Sequence, residues 1–114
     1  MSINGAQVEV FFREVTEGGS VWTVDNGAGL PVAANPEGRH VIPFWSLESR
    51  AAELTPEGSR YAGFEVREIP LAEWTSGWLP GLRGDGMLVG LNWTAEAASG
   101  FDAEPDTILA RLAG

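Results

Sequence analysis

Eight consecutive residues, Arg39-His40-Val41-Ile42-Pro43-Phe44-Trp45-Ser46, constrain this chain more than any other stretch. The apolar run predicts a strand from His40 to Trp45. Pro43 has no N–H to give a ladder, so it belongs near that strand's end or on a sheet edge. Ser46 follows at once with a hydroxyl suited to cap a helix through about Leu54, with Leu47, Ala51 and Leu54 on one face. The stretch is therefore a joint between a strand and a helix, and it carries the chain's only histidine.

The flanking elements follow from periodicity. Val8, Phe11, Phe12 and Val15 recur at helical spacing between Asn4 and Glu17. Asn4 and Gln7 resemble a capping box, and Gly18-Gly19 is a stop. A β meander is expected next: Ser20 to Val24, a turn at Asp25-Asn26-Gly27, a short return at Leu30 to Ala34, and a turn at Asn35 to Gly38 before the joint. Thr55 to Gly58 ends the second helix, and Phe64 to Ile69 alternates as a fourth strand that Pro70 closes. Leu71, Trp74, Trp78 and Leu79 follow helical spacing as far as Pro80-Gly81. Met87 to Leu91 has no polar alternation and predicts a central strand buried on both faces, where Gly90 would permit a close approach. Thr94 to Gly100 reads as loop, and Glu104 to Leu112 as a last helix with Pro105 in its first turn. The order α-β-β-β-α-β-α-β-α implies an α+β fold, a mixed sheet of about five strands with helices packed on it, in one domain over residues 1–114.

Charge narrows the class of partner. Seven basic residues against 16 acidic ones give a formal net charge of −9, which repels nucleic acid and anionic membrane. An acidic surface serves solubility in any case; its functional reading is a basic protein partner. With no cysteine there is no disulfide, thiolate metal site or cysteine nucleophile. Residues 1–5 lack a basic run and an apolar core, and no stretch reaches the roughly 18 apolar residues of a membrane helix. The expectation is a cytoplasmic protein without a secretory signal.

No set of residues completes a catalytic constellation. His40 is the first candidate for a general base, but its neighbours Arg39 and Val41 supply neither a nucleophile nor an orienting carboxylate. One histidine among carboxylates makes a poor zinc site. Asp102 to Asp106 lacks the register and glycine of a calcium loop, and reads instead as acids at a helix start. The glycines from Gly81 to Gly86 lie between a helix and a strand, the reverse of a dinucleotide-binding order, and so read as a turn. Arg83-Gly84-Asp85 and Asn92-Trp93-Thr94 match an adhesion tripeptide and a glycosylation sequon, neither with a context that would use it. Glu65 and Glu68 would point to opposite faces of a strand and could not act as a glycosidase pair. No Ser stands in a Gly-x-Ser-x-Gly elbow, and Thr23, Ser46 and Thr94 have no evident base. Catalytic residues, cofactor and metal are all expected to be absent.

Several landmarks together resemble a known family. Val21-Trp22-Thr23-Val24, Pro43-Phe44-Trp45-Ser46, Ile69-Pro70-Leu71, Trp78-Leu79-Pro80-Gly81-Leu82 with Asp85-Gly86, and Val89-Gly90-Leu91-Asn92-Trp93 are similar to those of DUF2750, a bacterial family of unknown function. Trp-Leu-Pro-Gly followed about ten residues later by Val-Gly-Leu-Asn-Trp is its most specific piece, and the likeness covers almost the whole chain. Ser59 to Gly63 departs, since the resemblance implies a tryptophan near Tyr61. No activity comes with the resemblance.

Most of the five tryptophans are expected in the core, with one or two left to line a groove. Trp45 with Ser46, and Asn92 with Trp93, are the binding candidates, because each pair closes a strand where loops and ligands meet. The expected function is a non-enzymatic protein-binding module, immunity- or antitoxin-like, whose acidic surface covers a basic partner. The alternative is a small-ligand or enzymatic domain with Arg39, His40, Trp45 and Asn92 around one pocket. A homodimer that buries exposed aromatics is a third expectation.

Overall fold

A computed structural model describes residues 5–94 and 101–113. The first helix, α1 (Gly5–Gly18), buries Phe11, Phe12 and Val15, the stripe its periodicity predicts. Gly19 ends it in the left-handed conformation, φ 77°, and its N–H donates to Val15 O at 2.8 Å. The expected Asn4 cap lies outside the described residues, as do positions 95–100 of the expected Thr94–Gly100 loop.

Among the described residues six strands form two sheets, an α+β arrangement with one strand more than the expected five or so. Strands β1 (Ser20–Asp25) and β4 (Glu65–Pro70) make an antiparallel ribbon. The other sheet has the order β2-β3-β5-β6, from β2 (Ala33–Ala34), β3 (His40–Phe44), β5 (Leu88–Leu91) and β6 (Phe101–Ala103). Strands β3 and β5 run parallel; the outer pairings are antiparallel. The meander is thus corrected: β1 pairs with β4, more than forty residues on, and β2 turns to β3 instead. Among the described residues a single bridge joins the sheets, with Trp22 N donating to Trp45 O at 2.9 Å and Trp45 N to Trp22 O at 2.7 Å. Pro43 is next to last in β3, beyond the reach of the two-residue β2, so its missing N–H breaks no ladder on that side.

Helix α2 (Glu48–Ala52) follows β3, but Leu47 stands at its N-cap with no side-chain cap. Ser46 does not cap it, because its hydroxyl is committed elsewhere. The next helical stretch runs from α3 (Leu71–Glu73) through a π-helical turn (Trp74–Trp78) into α4 (Leu79–Gly84). Leu79 N donates to Trp74 O, five residues back. The wide turn puts Trp74 and Leu79, both fully buried and five apart, on the core, and rotates Trp78 to the flank. Pro80 does not stop this helix as expected; the widened ladder just before it is where a residue without an N–H is tolerated. The chain closes with α5 (Pro105–Ala113).

The core lies in two clusters on opposite faces of the strands. Phe11, Val15, Val21, Phe44, Ile69, Trp74, Leu79, Val89 and Ile108 pack beneath α1, α4 and α5. Val24, Val41, Trp45, Leu54, Tyr61, Leu88 and Trp93 pack on the other face with α2. The ribbon serves both: Val21 pairs with Ile69 toward the first cluster, and Val24 with Val66 toward the second.

Candidate functional site

The parallel ladder sets Phe44 opposite Leu91, so the residues just past both strands emerge together. Four of the six binding candidates meet there. Asn92 N donates to Phe44 O at 2.9 Å, and the Trp45 indole donates to Trp93 O at 2.7 Å. Asn92 takes the left-handed conformation, φ 54°, which asparagine tolerates better than most residues. That geometry lets its Oδ1 accept from Ser46 N at 2.9 Å while its Nδ2 donates to Ser46 Oγ at 3.0 Å. The Ser46 hydroxyl then spends its single proton on Glu14 Oε1 at 2.6 Å. Arg50, one turn along, donates to the same carboxylate through Nε at 3.2 Å and Nη2 at 3.0 Å.

Burial by itself would raise the Glu14 pKa, but the hydrogen bonds from Arg50 and Ser46, with the charges of Arg50 and Arg13, bring it below the usual carboxylate range. Glu14 is thus an anion that accepts three hydrogen bonds, two at Oε1 and one at Oε2. Ser46 is only 2% exposed, so its oxygen is closed to a substrate, and the Arg50 fork leaves the Glu14 carboxylate that it donates to a weak base. The cluster ties α1, α2, β3 and β5 at one point. Trp45 faces inward, with no exposed surface, and Trp93 retains 3%.

Arg39 and His40 are at the other end of β3. Five residues of extended chain, about 16 Å, separate His40 from Trp45, so the six candidates do not share one pocket. His40 is exposed, opposite Ala34. Arg39 donates to Glu104 Oε2 at 3.0 Å and to Gly86 O at 3.1 Å, pinning the start of β3 to the loops before β5 and α5. The bond to Glu104 raises the Arg39 pKa above its ordinary value.

Between these ends, the Trp93 indole lies across Gly90. A Cβ at position 90 would stand 2.5 Å from Trp93 Cε2 and 2.7 Å from Nε1. Asp102 is Gly90's partner on β6. Asp102 Oδ1 and Trp93 Nε1 are both buried without a formed hydrogen bond. Burial raises the Asp102 pKa; the approach of Asn35 lowers it, the charge of Glu37 raises it, and the indole lowers it, leaving it above the ordinary value.

Two of the concavities beside the helices are mostly apolar. One, about 410 Å³, is lined largely by apolar groups of Val8, Phe12, Leu91 and Ile108, with Arg111 beside it. Arg111 pairs with Glu9 and lies over the Phe12 ring, 4.7 Å from its centre. The other, about 400 Å³, is a shallow groove along the helical stretch 71–84, lined by Glu73, Gly77, Trp78, Gly81, Leu82 and Asp85. Among the described residues no group of three His, Cys, Asp or Glu side chains is placed to hold a metal ion, and no helix is long and apolar enough to cross a membrane.

Sequence reasoning missed Glu14, Arg50 and the groove glycines. By sequence Glu14 is one more polar position on an amphipathic helix. Its partners lie 32 and 36 residues away, a separation that leaves no local signal. Gly77 was hidden inside a helical pattern.

Residues 8–112 match the family described as "Protein of unknown function (DUF2750)". No curated protein and no solved structure matches the chain.

Proposed function

The chain belongs to the DUF2750 family, and from its charge and surface we propose that it is a non-enzymatic protein-binding module for a basic protein partner, in the manner of an immunity protein or antitoxin. The observation that carries this reading is the distribution of charge. All seven basic residues are arginines, and five of them, Arg39, Arg50, Arg67, Arg83 and Arg111, are spent in ion pairs with the chain's own carboxylates. Glu17, Glu37, Glu48, Glu53, Glu57, Glu65, Glu73 and Asp85 are exposed and outside those pairs. The negative field therefore faces outward, where it steers a cationic partner and suppresses anionic ones.

The test is co-expression with the product of the adjacent gene. A stoichiometric complex by gel filtration is expected, with affinity falling at least about tenfold as salt rises from near 50 mM to 500 mM. A partner that is acidic, a complex indifferent to salt, or turnover of a small substrate by the isolated chain overturns the reading.

A further inference from the structure

We propose that the groove along the helical stretch 71–84 is the docking site for one helix of that partner, a helix with an apolar ridge and a lysine or arginine toward each end. The proposal rests on the protein-binding reading and gives it a location.

Two glycines argue for it first. Gly77 and Gly81 sit inside a helix at negative φ, so no left-handed turn requires them. Beyond its own helical turn, a Cβ built on either meets no described atom within 4 Å, so no packing against another part of the described chain requires them either. Each costs the helix about 0.5–1 kcal/mol relative to alanine. Gly90 shows the contrast: there the chain's own Trp93 ring occupies the space. A glycine whose space its own chain leaves empty lets another backbone approach closely. The π-turn is what presents these two, because it turns Leu79 into the core and leaves Gly77 and Gly81 exposed.

The walls are apolar and held in place. Trp78 is half-buried, edge-on to Phe44 at 6.0 Å, with the Arg67 guanidinium 5.3 Å from its ring centre; Leu82 is almost fully buried. A fixed aromatic beside a glycine floor offers contact area at low entropic cost.

Charge then selects the occupant. Glu73 and Asp85 line the groove, are exposed, and take no part in the ion pairs among the described residues. Asp85 is at the C-cap, where the negative end of the helix dipole disfavours an acid and strengthens the local negative field. The nearby Arg83 is paired with Asp106 at 2.9 Å and does not neutralise it. Twelve residues of helix separate the two acids, about 18 Å, so the partner's cations should lie some three turns apart.

The experiment titrates ¹⁵N-labelled protein with a synthetic 20-residue amphipathic helix carrying an alanine and leucine ridge and a lysine near each end. Shifts are expected at the Gly77 and Gly81 amides and the Trp78 indole. Gly77→Ala with Gly81→Ala should raise the melting temperature yet weaken binding at least about tenfold, as a side chain in the centre of an interface does. Glu73→Gln with Asp85→Asn, which leaves packing alone, should weaken it similarly and flatten its salt dependence. Shifts confined to another acidic patch, such as Glu48 and Glu53, overturn the groove while leaving the protein-binding reading intact, and so does a gene-neighbour complex unaffected by both variants. Self-association through this face in sedimentation replaces the partner helix with a second copy and overturns the proposal. Binding of neither peptide nor gene neighbour removes both readings.

Discussion

A methyl group at position 90 has nowhere to go. Alanine in a strand ordinarily gains about 0.5–1 kcal/mol over glycine. Here the Cβ would stand 2.5 Å from a buried indole whose neighbours are packed, and overpacking of that kind costs roughly 1–3 kcal/mol. Gly90→Ala should therefore be net destabilising in urea denaturation, and neutral stability would show that Trp93 can move aside. Glu14 offers a signed pH test. Its folded pKa lies below its unfolded one, so the stabilisation is fully present above the unfolded value near 4.5 and is lost as pH falls through the folded value. Glu14→Gln should cost about 1 kcal/mol at neutral pH, a figure kept low because Arg50 is partly solvated, and the gap to wild type should close in acid. Asp102 has the opposite sign. Its raised pKa means stability is greatest below its unfolded value and declines as pH rises through the folded one, so Asp102→Asn should narrow that decline in a denaturation series at several pH values.

At the scale of elements, the π-turn decides more than its five residues suggest. A regular α-helix would carry Trp74 and Trp78 on one face; the extra residue sends Trp74 with Leu79 inward and Trp78 to the rim. The cost is visible at Trp74, whose indole N–H is buried without a partner between Phe11 and Phe44. Trp45, equally buried, donates to Trp93 O. Trp74→Phe should accordingly be milder than Trp45→Phe by about 1–2 kcal/mol, since only the second leaves a buried carbonyl unpaired. Equal losses in thermal melts would mean that volume alone governs both sites. The helical pattern of Leu71, Trp74 and Trp78 was legible, but the inserted residue was not. Periodicity over one turn cannot distinguish a step of four from a step of five.

For the whole molecule, surplus negative charge is both a means of recognition and a load on stability. With a net charge of −9 and most cations already paired, repulsion among the free carboxylates outweighs the exposed ion pairs. Raising salt from about 10 mM to 150 mM shortens the screening length from about 30 Å to 8 Å. The melting temperature should therefore rise, by roughly 4 °C for a gain on the order of 1 kcal/mol. A fall in calorimetry would show that the five ion pairs dominate.

What the sequence determined by itself was whatever neighbouring residues settle among themselves. The α1 stripe, the apolar runs of β3 and β5, the turns at Asn26-Gly27 and Gly38, the helix start at Pro105 and the acidic balance all follow from side chains a few positions apart. Tertiary structure alone decided which strand β1 would join, that three-residue β6 would close the sheet, that Ser46 would bond to Glu14 instead of capping α2, and that His40 would stand apart from Trp45 and Asn92. Strand pairing and side-chain partnership depend on which apolar faces can be buried together across tens of residues, and local periodicity records only that a face exists, not what covers it.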